Sequence, residues 1–382
     1  MTVAHSTHDV LIVGARVAGS ALAGLLGRLG HDVTIVDRAD LPSDTVSTHL
    51  ISRTGMVALG RWDVLEDVRA SGAPELREIT FHRADGSVTR PVRPSQQVEY
   101  LLAPRRFVLD ALLAEAAVRS GARLRTGLNA VGVRRDGTGR VTGVHGHDRA
   151  GRDVELSARF VVGADGLHSR IARFVGAELV DRRPDGGSAR YTYYAGLPWS
   201  GIEFYVTHGA LAGVFPTHNA EACVWICTPT VSGPRDFDAD LQRFAPGLAS
   251  RLRGGRRTSQ ISGMRRSPNH VRRASGPGWA LVGDAGFHRD PIGAHGISDA
   301  FRDAELLAAC LDAALRGRAD EPAALGAYQR HRDASLADIF DLTCALGSYP
   351  PVPEFLDLMG RLGRAIDVEA GSLAARPIRA SA

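Results

Sequence analysis

Residues 9–38, DVLIVGARVAGSALAGLLGRLGHDVTIVDR, change hydrophobic period twice. DVLIVG is a short continuous apolar run of the kind shown by a strand buried on both faces. VAGSALAGLLGRLG spaces its apolar residues as a helix does, and HDVTIVD is a second strand closing on Asp37. Together they predict a strand–helix–strand unit, the building block of a parallel nucleotide-binding sheet. Residues 100–120 predict a turn carrying Arg105 and Arg106, then an amphipathic helix; residues 123–145 predict a hairpin turning at Asp136-Gly137. Residues 158–176 read as a strand, a GADG turn and a helix, and GWALVGD, residues 278–284, as one more buried strand.

Between these segments the period changes to two. ARYTYYAG, GIEFYVTHG, LAGVFPTH and ACVWICTP alternate and are rich in aromatics, which predicts an antiparallel sheet over residues 180–275. Tyr191, Tyr193, Phe204, Phe215 and Trp225 are candidates to line a substrate pocket on one face of it, or to be ordinary core. A helix is predicted from Ser298 to Arg318, with further helices to about residue 368. The tail AGSLAARPIRASA reads as disordered, as does the leader that carries His5 and His8. The expected organisation is α/β, a three-layer Rossmann-like domain at residues 1–179 with a helix and hairpin inserted at about 60–150. A β-rich substrate domain follows at 180–275, then the return of the first domain with C-terminal helices at 276–382.

Charge and cysteine content remove several classes of chemistry. The net charge of +4 is spread along the chain without a basic block, so nucleic acid is not an expected partner. Every one of the 46 basic side chains is arginine, which excludes Schiff-base and P-loop lysines. The tract RLRGGRRTSQISGMRR, residues 251–266, either draws an anionic ligand or is a solvated face. Cys223, Cys227, Cys310 and Cys344 show neither a CxxC nor a Cys/His metal spacing, so no metal site is expected. Neither a signal peptide nor a membrane-spanning run is apparent, and the expected setting is cytoplasmic.

The first unit also carries candidate chemistry. Gly14 permits a tight turn and Gly19 close helix–strand packing, while the helix start between them (Ala15, Arg16, Val17, Ala18) favours a pyrophosphate. Asp37 is placed to accept hydrogen bonds from ribose hydroxyls, with Arg38 beside it. Arg16 stands where the usual fingerprint has its middle glycine; its side chain is expected to stand outward or to add charge to the pyrophosphate site.

GARVAGS with Asp37, Arg106 before LDALL, GADGLHSR, and GDAGFHRDPIGAHGISDA occur in the order seen in the FAD-dependent aromatic hydroxylases. The chain resembles these single-component group A monooxygenases, similar to 4-hydroxybenzoate hydroxylase. The tract DTVSTHLISRTGMVAL resembles a subgroup bordering the geranylgeranyl-reductase-like oxidoreductases. The resemblance implies non-covalent FAD, NAD(P)H and O2 as co-substrates, and hydroxylation of an aromatic or polyketide-like small molecule through a flavin C4a-hydroperoxide. It leaves reduction of isoprenoid double bonds as the alternative, and both monomer and homodimer open. It also implies a set of cofactor positions: Gly14 to Gly19 at the pyrophosphate, Asp37 at the adenosine ribose, Arg106 at the ribityl–pyrophosphate region and Asp284 at a ribityl hydroxyl, with Arg38 and Ala130 also counted as cofactor-binding. Asp165 would support the nucleotide fold, and Pro291, Gly293, Gly296 and Ile297 would run along the flavin ring. Three residues are candidates for chemistry, each with a structural alternative. His49 is a substrate or flavin contact or a structural hydrogen bond. Asp290 is a substrate-side base or a turn cap. His295 is a neighbour of the flavin or a polar group at a helix start.

Overall fold

The computed structural model describes residues 7–230 and 236–376. Its first sheet runs in the order Ser275–Gly276, Trp279–Leu281, Asp153–Gly163, Thr7–Val13, Val33–Asp37, Arg123–Thr126. Thr7–Val13 lies at the centre, parallel to both neighbours, with Val10 opposite Val33 and Thr7 opposite Ser157. Val10, Leu11 and Ile12 are fully buried because both faces are covered. Helices Val17–Arg28, Arg106–Arg119 and Gly296–Leu315 cover one face. The hairpin Asn129–Arg135/Val141–His147 and the short helix Arg170–Val175 cover the other. This is the expected three-layer arrangement.

The second sheet runs Arg256–Arg257, Ser188–Ala195, Ala222–Thr228, Ala210–Pro216, Ile202–Thr207, Glu78–Arg83, Gly86–Pro91. Its last two strands come from the stretch expected to lie within the nucleotide domain. Glu78–Arg83 joins in parallel to Ile202–Thr207, with Phe81 opposite Phe204 and their rings stacked at 5.5 Å. The period-two pattern of EITFHR fits a sheet with one covered face, and the aromatic pair fixes its register. Phe204, Gly213, Trp225 and Tyr191 form one cross-strand row on the inner face; Phe215, Cys223 and Tyr193 form the next. The outer face, with Ala212, Val214, Val224 and Ile226, packs on two helices, Phe237–Phe244 and Pro246–Leu252, which period-two reading alone did not foresee.

Helices Glu321–Gly347 and Val352–Ala374 close the inner side. The last helix extends past the predicted end, because Ala370 and Leu373 are buried in the first core and hold its final turns. The tail is therefore helical to Ala374. His8 also departs from expectation: it is buried in the central strand Thr7–Val13, with its ring 3.2 Å from Asp32 Oδ2. His5 lies outside the described residues. No helix among the described residues is long and apolar enough to cross a membrane.

Candidate active site

At the nucleotide end, Gly14 has φ +113°, and a Cβ there would meet Ala164 O at 2.4 Å; a Cβ on Gly19 would meet Gly14 O at 1.8 Å. Both positions demand glycine for close backbone packing. The first turn of Val17–Arg28 has no side-chain cap, so the N–H groups of Val17 and Ala18 point out unpaired by the helix itself. By contrast, Ser169 and Asp320 close the starts of Arg170–Val175 and Glu321–Gly347.

Asp37 accepts from Ala15 N at 2.8 Å and Ala39 N at 2.9 Å, which fixes the strand end and leaves further lone pairs outward. Arg38 is exposed beside it. Arg16 does not stand outward: its guanidinium lies over the loop at Ser43 Oγ (3.2 Å) and Asp44 O (3.3 Å), with Nη1 buried and unpaired. Ala130 is buried in the core on the second face of the first sheet, which also holds Val13 and Val36. Asp165 takes Ser169 Oγ and the N–H groups of Arg170 and Ile171, so it organises the turn and the helix after it.

The second helix start lies alongside the first. Gly283, at φ +61°, sits between Ala18 and Ala300, whose Cβ atoms lie 3.0 and 3.5 Å from where its own would be. Two uncapped helix starts, at Val17 and Gly296, thus converge on Gly283-Asp284. The Asp284 side chain is open to solvent but sits deep in the cleft between them, and it makes no hydrogen bond or ion pair to a described residue. Desolvation pushes its carboxyl up from the usual range; Asp299 adds to this, while His288, Arg106 and Arg289 oppose it. Arg106 itself is buried and held bidentately by Asp110, at 3.0 and 3.1 Å.

The loop after Asp284 resolves two of the open alternatives. Asp290 is buried and accepts from Gly187 N at 2.7 Å and Ile292 N at 2.8 Å. It caps the turn Pro291–Gly293 and clasps it to the second sheet; burial raises its carboxyl despite those bonds. Both oxygens are engaged, so the role of substrate-side base is not supported. His295 is buried with Nδ1 2.6 Å from Ser52 Oγ and Nε2 2.8 Å from Glu369 Oε2. With both nitrogens bonded inside the protein, it is the polar group of a helix start and not a reacting one.

Glu369 continues the network to Arg302 (2.8 Å), which also binds Asp299 (2.8 Å); Arg289 meets Asp299 at 2.9 Å. Burial alone would raise Glu369, but His295 and Arg302 outweigh it and hold the carboxylate well below its usual value. His295, Asp299 and Glu369 lie close enough together to hold a metal ion, yet Arg302 already binds both carboxylates and takes the place of a cation.

The glycines of this loop differ in purpose. A Cβ on Gly293 would meet Arg289, Leu362 and Thr343 at 3.1–3.4 Å, so that glycine serves packing against the last two helices rather than approach to a ligand. A Cβ on Gly296 would meet no protein atom within 4 Å. Ile297 turns its side chain into the first core, leaving its backbone at the helix start.

Across from the loop, Ile292 and Ala294 share one apolar cluster with Tyr191, Tyr193, Phe215 and Trp225 of the second sheet. Phe204, Phe215 and Trp225 pack mutually at 5.2–5.9 Å. His49, at φ +71°, bonds Tyr193 Oη through Nε2 and stacks on its ring, while its Nδ1 is buried without a partner. Burial, followed by the nearby Arg106 and Arg105 charges, lowers its basicity well below the ordinary value. Burial raises the Tyr193 phenol far above its own. Both groups are therefore neutral, and a single hydrogen bond joins His49 Nε2 to Tyr193 Oη.

Arg105, which the sequence marked only as part of a turn, lies 3.6 Å over the Tyr193 ring between Glu221 and Asp44. Glu221, Asp44, Ser52, Arg302 and Glu369 carried no local sequence signal, since each finds its partners through the fold.

The donor set fits FAD. Two uncapped helix starts, the glycine turn and a deep carboxylate without a protein partner are what pyrophosphate, a reduced isoalloxazine edge and a ribityl hydroxyl require. The comparisons agree. A family model described as an FAD binding domain matches residues 7–343. Menaquinone reductase of Mycobacterium tuberculosis is 28% identical over 80% of this chain and 76% of its own. Kynurenine 3-monooxygenase of Salinispora arenicola is 28% identical over 96% and 84%. The solved structure of PqsL, a probable FAD-dependent monooxygenase from Pseudomonas aeruginosa, superposes with TM-score 0.78 at 25% identity, covering 93% of this chain and 100% of that one.

Proposed function

Since the chain belongs to the FAD-binding-domain family, we propose that it is an FAD-dependent monooxygenase that uses NAD(P)H and O2 to hydroxylate an aromatic or polyketide-like small molecule. The observation carrying this reading is the aromatic inner wall of the second sheet, gathered into one apolar cluster with Ile292 and Ala294 of the glycine loop. Bound FAD supplies the redox chemistry. The chain supplies the rest. The backbone at Gly296 and Ile297 directs a helix start to the cleft, Asp284 offers an acceptor, and the wall of Tyr191, Tyr193, Phe215 and Trp225 orients a flat substrate and excludes water.

A second reading, reduction of an isoprenoid double bond, has its own support. The menaquinone reductase relative covers most of this chain, and the apolar cluster has half-buried Leu50, Phe81, Leu356 and Met359 at its edge. The two readings separate in one experiment: NAD(P)H oxidation with O2 uptake is followed across phenols, quinones and polyprenyl compounds. Substrate-stimulated O2 consumption with an oxygenated product supports the monooxygenase. Turnover of a polyprenyl compound under strict anaerobiosis overturns it in favour of the reductase. The enzyme is read as a cytoplasmic protein of secondary metabolism, acting as a monomer or homodimer.

A further inference from the structure

The helix Gly296–Leu315 opens with three side chains that could close its start, and none of them does. His295 stands at the N-cap, with Ser298 and Asp299 in the first turn. Each is held by another segment instead. His295 Nδ1 lies 2.6 Å from Ser52 Oγ, and its Nε2 lies 2.8 Å from Glu369 Oε2. Ser298 Oγ meets the same Ser52 Oγ at 2.8 Å. Asp299 accepts from Arg289 at 2.9 Å and from Arg302 at 2.8 Å. The first backbone bond of the helix runs from Asp299 N to His295 O, so the N–H groups of Gly296 and Ile297 stay unpaired by the helix itself.

Glu369, from the last helix, ties these diversions together. Its Oε2 also accepts from Thr54 Oγ1 at 2.8 Å, and its Oε1 accepts from Arg302 at 2.8 Å. One carboxylate thus grips both the residue before the helix start and the arginine that restrains Asp299. Ser52, Thr54, His295, Ser298, Asp299 and Arg302 are all buried, and a buried network with its members paired holds a single arrangement. Without Glu369, His295 loses its Nε2 partner and Arg302 loses one of the carboxylates it bridges. Side chains released in this way are free to turn to the N–H groups at the helix start, as caps do elsewhere in the chain at Asp236 and Asp320. Those N–H groups are the donors that stabilise charge developing on a flavin edge, so capping them would penalise the reduced cofactor more than the oxidised one.

We propose that Glu369 is a positioning residue for the flavin. Acting through His295 and Arg302, it keeps the Gly296–Ile297 helix start uncapped and aimed at the cofactor, and so favours reduced over oxidised FAD. The proposal rests on FAD lying at that start, which the family match and the open space beside Gly296 support. It does not depend on whether the enzyme hydroxylates or reduces its substrate.

The test is a dye-linked titration of the flavin midpoint potential in the FAD-loaded protein, with FAD affinity measured for each variant. Glu369→Ala should weaken reduced FAD about tenfold more than oxidised FAD, which lowers the midpoint by about 30 mV. Ser52→Ala releases His295 and Ser298 from the other side without removing a charge, and should shift the potential in the same direction. Glu369→Gln, whose amide can still meet both His295 and Arg302, should recover most of the wild-type value. Asp367→Asn breaks the pair between Arg53 and a half-exposed carboxylate on the same helix, and should leave the potential unchanged. An unshifted potential in FAD-loaded Glu369→Ala overturns the proposal, as does a shift in Asp367→Asn as large as that in Glu369→Ala. Should Glu369→Ala not fold, an unshifted potential in Ser52→Ala overturns it alone. Loss of the monooxygenase reading would leave these potentials as they are, so the two fail separately.

Discussion

Asp284, exposed, and Asp290, buried, lie six positions apart on one loop, and the structure assigns them opposite behaviour on removal. Asp290 has two backbone N–H groups on its oxygens, at 2.7 and 2.8 Å. Asp290→Ala leaves both donors buried and unpaired, about 1–3 kcal/mol each, so the apoprotein should lose several degrees of Tm. Asp284 has no protein partner, and desolvation raises its carboxyl. A folded-state value above the unfolded one means the folded chain favours the protonated acid. The ionised form therefore opposes folding, by an amount that builds as pH rises from the unfolded value to the folded one and is constant above it. The solvent that reaches this exposed side chain reduces that amount. Asp284→Asn removes that charge, so the apoprotein Tm should hold or rise.

FAD binding should move the other way. Losing a charge-assisted hydrogen bond to a ribityl hydroxyl costs about 1.5–3 kcal/mol, or about 10- to 150-fold in affinity. The stabilisation conferred by a fixed excess of FAD should shrink by the same amount. The assay is thermal unfolding of apoprotein and FAD-loaded protein for wild type and both variants, with FAD affinity from fluorescence quenching. Undiminished FAD affinity in Asp284→Asn would refute the assignment. So would an apoprotein Tm that falls as far as that of Asp290→Ala.

Gly296→Val should leave the apoprotein Tm unchanged, because a Cβ there meets no protein atom. It should release FAD or, where FAD stays, lower the flavin midpoint potential by several tens of millivolts in a dye-linked titration, from about 2.7–4 kcal/mol at about 30 mV per 1.4 kcal/mol. Glu369→Gln should cost about 1.5–3 kcal/mol of stability at pH 7. Its carboxylate is held below the usual value, so this contribution is complete above the unfolded value near 4.3 and fades as pH falls below it; a constant difference in urea midpoint from pH 7 to pH 3 would contradict the network. Acid or heat denaturation should release FAD into the supernatant, and flavin remaining on the precipitate would contradict non-covalent binding.

The parts of the fold that were legible in the sequence are those with a local physical cause. The apolar run before Gly14, the helical spacing after it and the acid at Asp37 all lie within one short unit, and the structure places them as read. What failed to show was pairing between distant segments. EITFHR has the right period for a strand, but nothing local says that it joins Ile202–Thr207, more than a hundred residues downstream. The helix at Phe237–Phe244 was obscured by the alternating strands around it, although Asp236 caps it through Ala239 N.

The chemistry divides along the same line. Gly14 and Gly283 are set by backbone geometry written in adjacent residues, so their motif places them and the Asp284 carboxylate beside them. His295 and Asp290 look reactive in sequence because both are titratable and next to glycine and proline. Their partners, Glu369 and Gly187, lie 74 and 103 residues away, and these use up the atoms that chemistry would need. His49 is the reverse case. Its Tyr193 partner, 144 residues away, occupies only one nitrogen and leaves Nδ1 buried without a partner. Burial and the nearby arginines hold its basicity well below the ordinary value, so it is a poor proton acceptor whichever nitrogen carries the proton. The proposed oxygenation would therefore draw its proton acceptor from solvent or from the substrate itself, and substrates that are electron-rich without ionising should turn over faster than those that need a protein base.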